Sequence, residues 1–295
     1  LALRDASGRV ATSATTRLVV IPSPSAPTSP LHVVCIGDSL TAPGTWPCEV
    51  HRRLCASGGT PAGLALSGIR FFGAKERDGT GWTGFGGWRW ASYLGPGVST
   101  SEGAAGEVTL TANPLYDAVA GKVSFTKFAY DCCEGRIDVV YAMMGWNEFS
   151  SLSDDTFTRI LADVRSFARA LHSAFPAARL RLMGIPLPSV TGGMGWSYGA
   201  KAGKYADAVA MTHAAHRLNT AYEALSAEAE FAGYVAYVDT ASQVDTENVM
   251  RCAPRPVNTR SSLTESIGNN GVHPSEAGYL QIADAVFRDL CSLLR

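Results

Sequence analysis

Five short apolar runs punctuate the chain, from Leu31 to Ile36, Ile69 to Phe72, Ile137 to Met143, Leu180 to Ile185 and Tyr234 to Val238, and each gives way to Gly, Pro, Asp or Ser. Continuous runs of this length suit strands covered on both faces, as in a parallel sheet. Between them the period changes to that of a helix. Phe157, Ile160, Leu161, Val164, Phe167, Leu171 and Phe175 share one face of a helix whose N-cap is Ser153 and whose first turn carries Asp154 and Asp155. Leu280, Ala283, Val286, Phe287, Leu290 and Leu294 repeat the pattern in a last helix, entered through Pro274 and Glu276. Strand–helix alternation predicts an α/β fold of three αβα layers around a parallel, roughly five-stranded sheet. The stretch from Ser101 to Cys133 breaks the alternation and is expected to be an insertion.

Residues 1–30 follow another pattern. A turn at Asp5 to Gly8 precedes β-branched, strand-like segments ending at Thr15 to Ile21, and Pro22 to Pro30 is a stiff Pro/Ser-rich linker. The pattern fits the last strands of an immunoglobulin-like module lying upstream, and equally an edge strand added to the main domain. A two-strand piece does not stand alone. The expected organisation is therefore an N-terminal β segment with linker over 1–30 and one large domain over 31–295.

Composition narrows the functional classes. Of 295 residues, 46% are apolar, enough to bury a sizeable core. Charged residues are only 17%, against about 25% in an average domain, and the formal net charge is −1. That balance excludes a broad electrostatic grip on nucleic acid or an anionic membrane. No run approaches the roughly 20 apolar residues of a membrane span. Seven cysteines without a C-x-x-C pair disfavour a zinc site and leave room for at most two or three disulfides. His213 and His216, three apart on a helical stretch, are expected to be solvated or core histidines rather than metal ligands.

Open parallel sheets bind ligands beyond the carboxyl ends of their strands. The first strand ends in Gly37-Asp38-Ser39-Leu40-Thr41, and the second is followed by a glycine-rich loop from Gly81 to Trp90. The third ends in Gly145-Trp146-Asn147-Glu148, and Asn269-Asn270-Gly271-Val272-His273-Pro274 stands before the last helix. A serine, a set of amide donors and a histidine would thus meet at one sheet edge. Acyl transfer needs that set: a base to take the serine proton, and preorganised donors for the tetrahedral oxyanion. The backbone N–H groups of Ser39 and Gly87 and the Asn147 side chain could supply three donors.

These four segments, in this order, resemble the SGNH hydrolases, or GDSL esterases. Gly37-Asp38-Ser39-Leu40 matches the nucleophile block, Gly87 the glycine block, Gly145-Trp146-Asn147-Glu148 the asparagine block, and Asn270-Gly271-Val272-His273 the histidine block. The resemblance implies a flavodoxin-like αβα hydrolase that cleaves esters with Ser39 and His273, without metal or cofactor. Two positions depart from the family. Asn270 stands where an Asp usually orients the histidine, and Glu148 where Asp is common. Asp239, Asp245 and Glu265 are alternative acids that could approach His273.

For the substrate, Asp38, Gly86, Trp88 and Trp146 are expected to line the site, with Trp82, Trp90 and Trp196 in or near the same loops. Aromatic faces suit sugar rings or acyl chains. The favoured expectation is a secreted or cell-surface carbohydrate O-acetylesterase acting on small-molecule or glycan esters. The alternatives are a lipase- or thioesterase-like enzyme, and a catalytically weak domain that binds glycans in a surface or phage-tail protein, with Asn270 as its hint.

Overall fold

A computed structural model describes residues 2–13, 20, 23–102, 108–149, 151–199 and 207–294. The alternation begins with β1 (Leu31–Gly37), followed by α1 (Thr45–Cys55), β2 (Ile69–Phe72), β3 (Lys75–Arg77), β4 (Thr80–Gly84) and α2 (Trp90–Leu94). After an excursion come α3 (Phe125–Cys132), β5 (Val139–Met143), α4 (Asp154–Ala174), β6 (Arg179–Met183), α5 (Ala208–Ser226) and β7 (Val235–Val238). The chain ends in β8 (Met250–Pro256), β9 (Thr264–Pro274) and α6 (Glu276–Leu293).

All five apolar runs are strands of one sheet. Their order is β2-β1-β5-β6-β7, every pair parallel, which is the flavodoxin-like 2-1-3-4-5 winding. Burial at every position of β5 and nearly every position of β1 requires cover on both faces. α1 and α6 pack together, while α4 packs with α2, α3 and α5. The expected apolar face of α4 is buried through Phe157, Ile160, Val164, Phe167 and Leu171, and the Ser153 hydroxyl caps it by accepting the Thr156 N–H.

The sheet is larger than the hydrophobic pattern indicates. β4 continues beside β1 where β2 stops, pairing Ile36 and Gly37 with Thr83 and Gly84, and β3 returns antiparallel to β4. Gly81 to Gly84 is therefore strand, not the start of a loop. A Cβ on Gly81 would lie 2.6 Å from the backbones of Phe72 and Gly73, so the glycine serves close approach of two chains rather than a turn. The expected insertion is partly one: Val98–Glu102 with Val108–Ala112, and Tyr116–Asp117 with Lys122–Val123, form ribbons outside the main sheet. α3, at its end, belongs to the α4 layer.

Ala2–Arg4 pairs with Val10–Ser13 across the expected Asp5 to Gly8 turn. The strand expected over Thr15 to Ile21 lies, Val20 apart, outside the described residues. All seven cysteines are free thiols, so none of the disulfides left open by the sequence forms. β8 and β9 make an antiparallel hairpin apart from the sheet, and Asn270-Gly271 sits within β9 rather than in a turn.

Candidate active site

The carboxyl ends of β1 and β5, the loop from β4 to α2 and the end of β9 converge. After Gly37 the chain turns sharply. The Asp38 carbonyl accepts the N–H groups of Thr41 and Ala42 at 3.0 and 2.9 Å, and its Oδ1 accepts the Leu40 N–H at 2.9 Å. This turn presents Ser39, half-buried, at the sheet edge. Asp38 itself is 0% exposed, which corrects the expectation that it lines the substrate: its carboxyl is consumed in shaping the turn.

His273 comes from β9, pressed against the segment from Ser189 to Tyr198. Gly271 makes that contact feasible, since a Cβ there would fall 2.4 Å from the Ser189 carbonyl. The Ser189 N–H bonds to the Gly271 carbonyl at 2.9 Å. The result is a distance of 2.8 Å between His273 Nε2 and Ser39 Oγ.

Asn270 fixes the other side of the ring. Its Oδ1 accepts the backbone N–H groups of Val272 and His273 at 3.1 and 2.9 Å and lies 3.2 Å from His273 Nδ1. Two backbone donors can be answered only by the amide oxygen, so the side-chain orientation is determined by its own network. An acceptor opposite Nδ1 places the ring proton there and leaves Nε2 free to receive the Ser39 proton. The alternative acids are elsewhere: Asp239 binds Ser242, Asp245 binds Asn248, and Glu265 is exposed near the far end of β9.

Electrostatics favour a neutral imidazole. Burial, with the Arg251 guanidinium second, holds His273 below the ordinary histidine value. Asp38 moves the other way. Burial foremost, opposed by the Leu40 N–H and reinforced by the nearby Glu148 charge, raises its carboxyl to about 7.

The expected donors lie on the loops that meet at this edge. Gly87 is exposed with φ +78°, a conformation natural to glycine, and Gly86 beside it is exposed too. Asn147 lies in the one-turn helix Trp146–Glu148 and donates through Nδ2 to the Trp88 carbonyl at 3.1 Å and to Asp38 Oδ2 at 3.5 Å. Glu148 Oε1 accepts the Trp90 N–H at 2.5 Å. The β5 end thus grips the β4–α2 loop at two points, which gives Glu148 a structural task at the start of α2.

The tryptophans are the main correction. Trp88 is 4% and Trp146 2% exposed, so neither side chain reaches a substrate. Trp88 packs on Phe85 and Tyr93, and Trp146 meets Phe149 edge-on. Trp82 and Trp90 are core residues as well. Trp196 alone of the five is open, at 45%. Sequence reasoning missed Tyr198, edge-on to the His273 ring with centroids 5.8 Å apart, and Arg251. Only the density of glycines around Tyr198 hinted at an unusual segment. His213 and His216 are exposed on α5, and among the described residues no group of His, Cys, Asp and Glu is gathered that could hold a metal. No described helix is long and apolar enough to cross a membrane.

Residues 33–286 match the family model described as GDSL-like lipase/acylhydrolase. A comparison with curated proteins finds no match. Among solved structures the chain is similar to a carbohydrate esterase family 3 protein from Talaromyces cellulolyticus, with 19% identity, TM-score 0.50, and 90% of this chain and 98% of that one covered. A carbohydrate acetylesterase family member from Sinorhizobium meliloti matches at 13% identity and TM-score 0.51, covering 90% and 99%. The inhibitor-bound aryl esterase of M. smegmatis has the same identity and TM-score, covering 90% and 100%. At these identities the likeness is one of fold.

Proposed function

Because the chain belongs to the GDSL-like lipase/acylhydrolase family, and is thereby a carboxylic ester hydrolase of the SGNH type, we propose that it removes short acyl groups, chiefly acetyl, from carbohydrate esters. The observation that carries the reading is the 2.8 Å approach of His273 Nε2 to Ser39 Oγ, with Asn270 Oδ1 behind the ring.

In this reading the Ser39 oxygen attacks the ester carbonyl as its proton passes to His273 Nε2. The negative charge gathers on the carbonyl oxygen, facing the N–H groups of Ser39 and Gly87, and the Asn147 amide joins them by giving up its long 3.5 Å contact to Asp38. His273 returns the proton to the leaving alkoxide, the carbon–oxygen bond breaks, and an acyl-Ser39 remains. Water repeats the sequence, activated by the same nitrogen, and releases the carboxylic acid. Asn270 is a positioning residue: it holds the tautomer but contributes no full charge to the imidazolium.

The carbohydrate half of the reading is supported by the open Trp196 ring, two residues from the Tyr198 that meets His273, and by the fold shared with carbohydrate esterases. A pair already within hydrogen-bond distance favours catalysis over a binding-only domain. Hydrolysis of p-nitrophenyl esters from two to eight carbons tests both halves. Activity should fall steeply with chain length and vanish in Ser39→Ala. A rise along the series supports a lipase, and activity surviving in Ser39→Ala overturns the assignment of the nucleophile.

A further inference from the structure

Outside the Ser39–His273 pair, a set of side chains leads away from the imidazole. Tyr198 stands edge-on to the His273 ring, the planes at 87°. Its neighbour Ser197 accepts the Arg255 Nη2–H at 2.9 Å and donates to the Asn269 carbonyl at 3.4 Å. The Arg255 guanidinium lies 5.9 Å from the Trp196 ring centre, and the Trp196 Nε1–H is tied to the Val190 carbonyl at 2.9 Å. Segment and hairpin are thus fastened together, and the indole is held open to solvent in a set orientation.

The second observation is charge. Arg251, nearer to His273 on β8, anchors its Nε–H on the Pro274 carbonyl at 3.1 Å, and its field reaches the imidazole. Arg251 and Arg255 are both exposed, and neither joins an ion pair among the described residues. Glu265 stands opposite Arg255 in the hairpin register, yet Arg255 turns its Nη2 to Ser197. Four residues of strand separate the two arginines by about 13 Å at about 3.3 Å per residue. In a chain with only 17% charged residues, two guanidiniums without an acidic partner along one hairpin beside His273 are a local feature with its own chemistry.

We propose that Trp196, Tyr198, Arg251 and Arg255 form a subsite for an acidic glycan, so that the ester cleaved at Ser39 is carried on a polysaccharide bearing carboxylates. The proposal rests on the carbohydrate esterase reading and gives it a substrate class. The apolar face of a pyranose ring stacks on an indole, and a guanidinium fork matches a carboxylate in two hydrogen bonds. A fatty acyl chain would use neither arginine, and a neutral glycan would leave both without a counter-charge. The spacing suits an oligosaccharide rather than a single sugar.

Acetylated polygalacturonate and acetylated xylan, one anionic and one neutral, are the probes, with p-nitrophenyl acetate as the small ester. Wild-type kcat/KM should be higher on polygalacturonate at low salt, and the advantage should shrink as ionic strength rises and screens exposed charges. Arg255→Gln should cut the ratio of the two polymers by up to about fivefold, the most that an exposed, well-oriented ion pair is worth, chiefly through KM. Trp196→Ala should weaken both polymers. The salt series needs no variant and so stands even where a substitution impairs folding. Xylan cleaved as well as polygalacturonate at low salt, with p-nitrophenyl acetate hydrolysed, overturns the acidic subsite alone. An enzyme inert on all three esters overturns the esterase reading as well.

Discussion

The Asn270 side-chain oxygen meets His273 twice, at its backbone N–H at 2.9 Å and at ring Nδ1 at 3.2 Å, so one amide both shapes the strand end and orients the base. Asn270→Asp keeps those acceptors and adds a full negative charge. The charge stabilises the imidazolium of the transition state and raises the His273 pKa. The acid limb of the pH profile should therefore move to higher pH, while turnover at high pH, where the base is free in both proteins, should rise. In serine proteases the reverse exchange costs about 10⁴, largely through the wrong tautomer; here the tautomer is already held, so a gain of about tenfold is expected. Turnover at pH 9 that is unchanged or lower would refute a handicapped aspartate.

Arg251, the partner of Asn270 across the hairpin, acts on the same ring. Its positive charge and the burial of His273 both disfavour the imidazolium, so the base stays neutral below the ordinary histidine value of about 6.5. Arg251→Gln should shift the acid limb of kcat/KM for p-nitrophenyl acetate upward in pH. The sign follows from removing a like charge. By linkage, the folded state resists protonation of this ring, and stability should be lost as pH falls below about 6.5. A limb that moves downward contradicts the placement of Arg251.

Asp38 predicts the opposite pH dependence. Its folded carboxyl, raised from 3.8 to about 7, stays protonated while the unfolded one ionises, so its contribution to stability falls between about pH 4 and pH 7 and is level above. Asp38→Asn should be the less stable protein at pH 5, because one of the two oxygens that between them accept the Leu40 and Gly145 N–H groups and the Asn147 amide becomes a donor. That deficit should shrink by pH 8, by at most about 3 kcal/mol, because stability changes by about 1.4 kcal/mol for each pH step between pH 5 and about 7. Urea denaturation of both proteins at the two pH values reads the difference; a deficit independent of pH would place the carboxylate charge in the folded protein throughout.

Trp88 and Trp196 separate core from surface. Trp88→Ala empties a buried site against Phe85 and Tyr93 and should cost about 3–5 kcal/mol. Trp196→Ala, at an exposed position, should stay within about 0.5 kcal/mol. Denaturant midpoints decide; equal losses would mean that Trp196 is also a packing residue.

The parallel sheet and the serine–histidine pair were legible because both obey local rules. Doubly covered strands read as continuous apolar runs, and strand ends collect the residues that face ligands. β4 escaped notice because Gly81 and Gly84 carry no strand propensity; their reason is the neighbouring backbone, which no local window contains. β8 is exposed for most of its length and β9 carries few apolar residues, so the hairpin gives no apolar signal. Trp88 and Trp146 misled for a related cause: nearness in sequence to catalytic loops says nothing of which way a side chain points. In each case the deciding neighbour is distant along the chain.

The loop carrying Gly86 and Gly87 is moored on both sides. Lys75 Nζ holds the Gly84 carbonyl at 2.7 Å, Asn147 the Trp88 carbonyl, and Glu148 the Trp90 N–H. Such a loop has few conformations left to surrender when negative charge appears before it, because folding has already aligned its dipoles. It also isolates chemistry from drift. The ribbons between Val98 and Val123 attach beyond the last mooring, so they can lengthen, shorten or change sequence while the amides proposed to face the reacting carbonyl keep their aim.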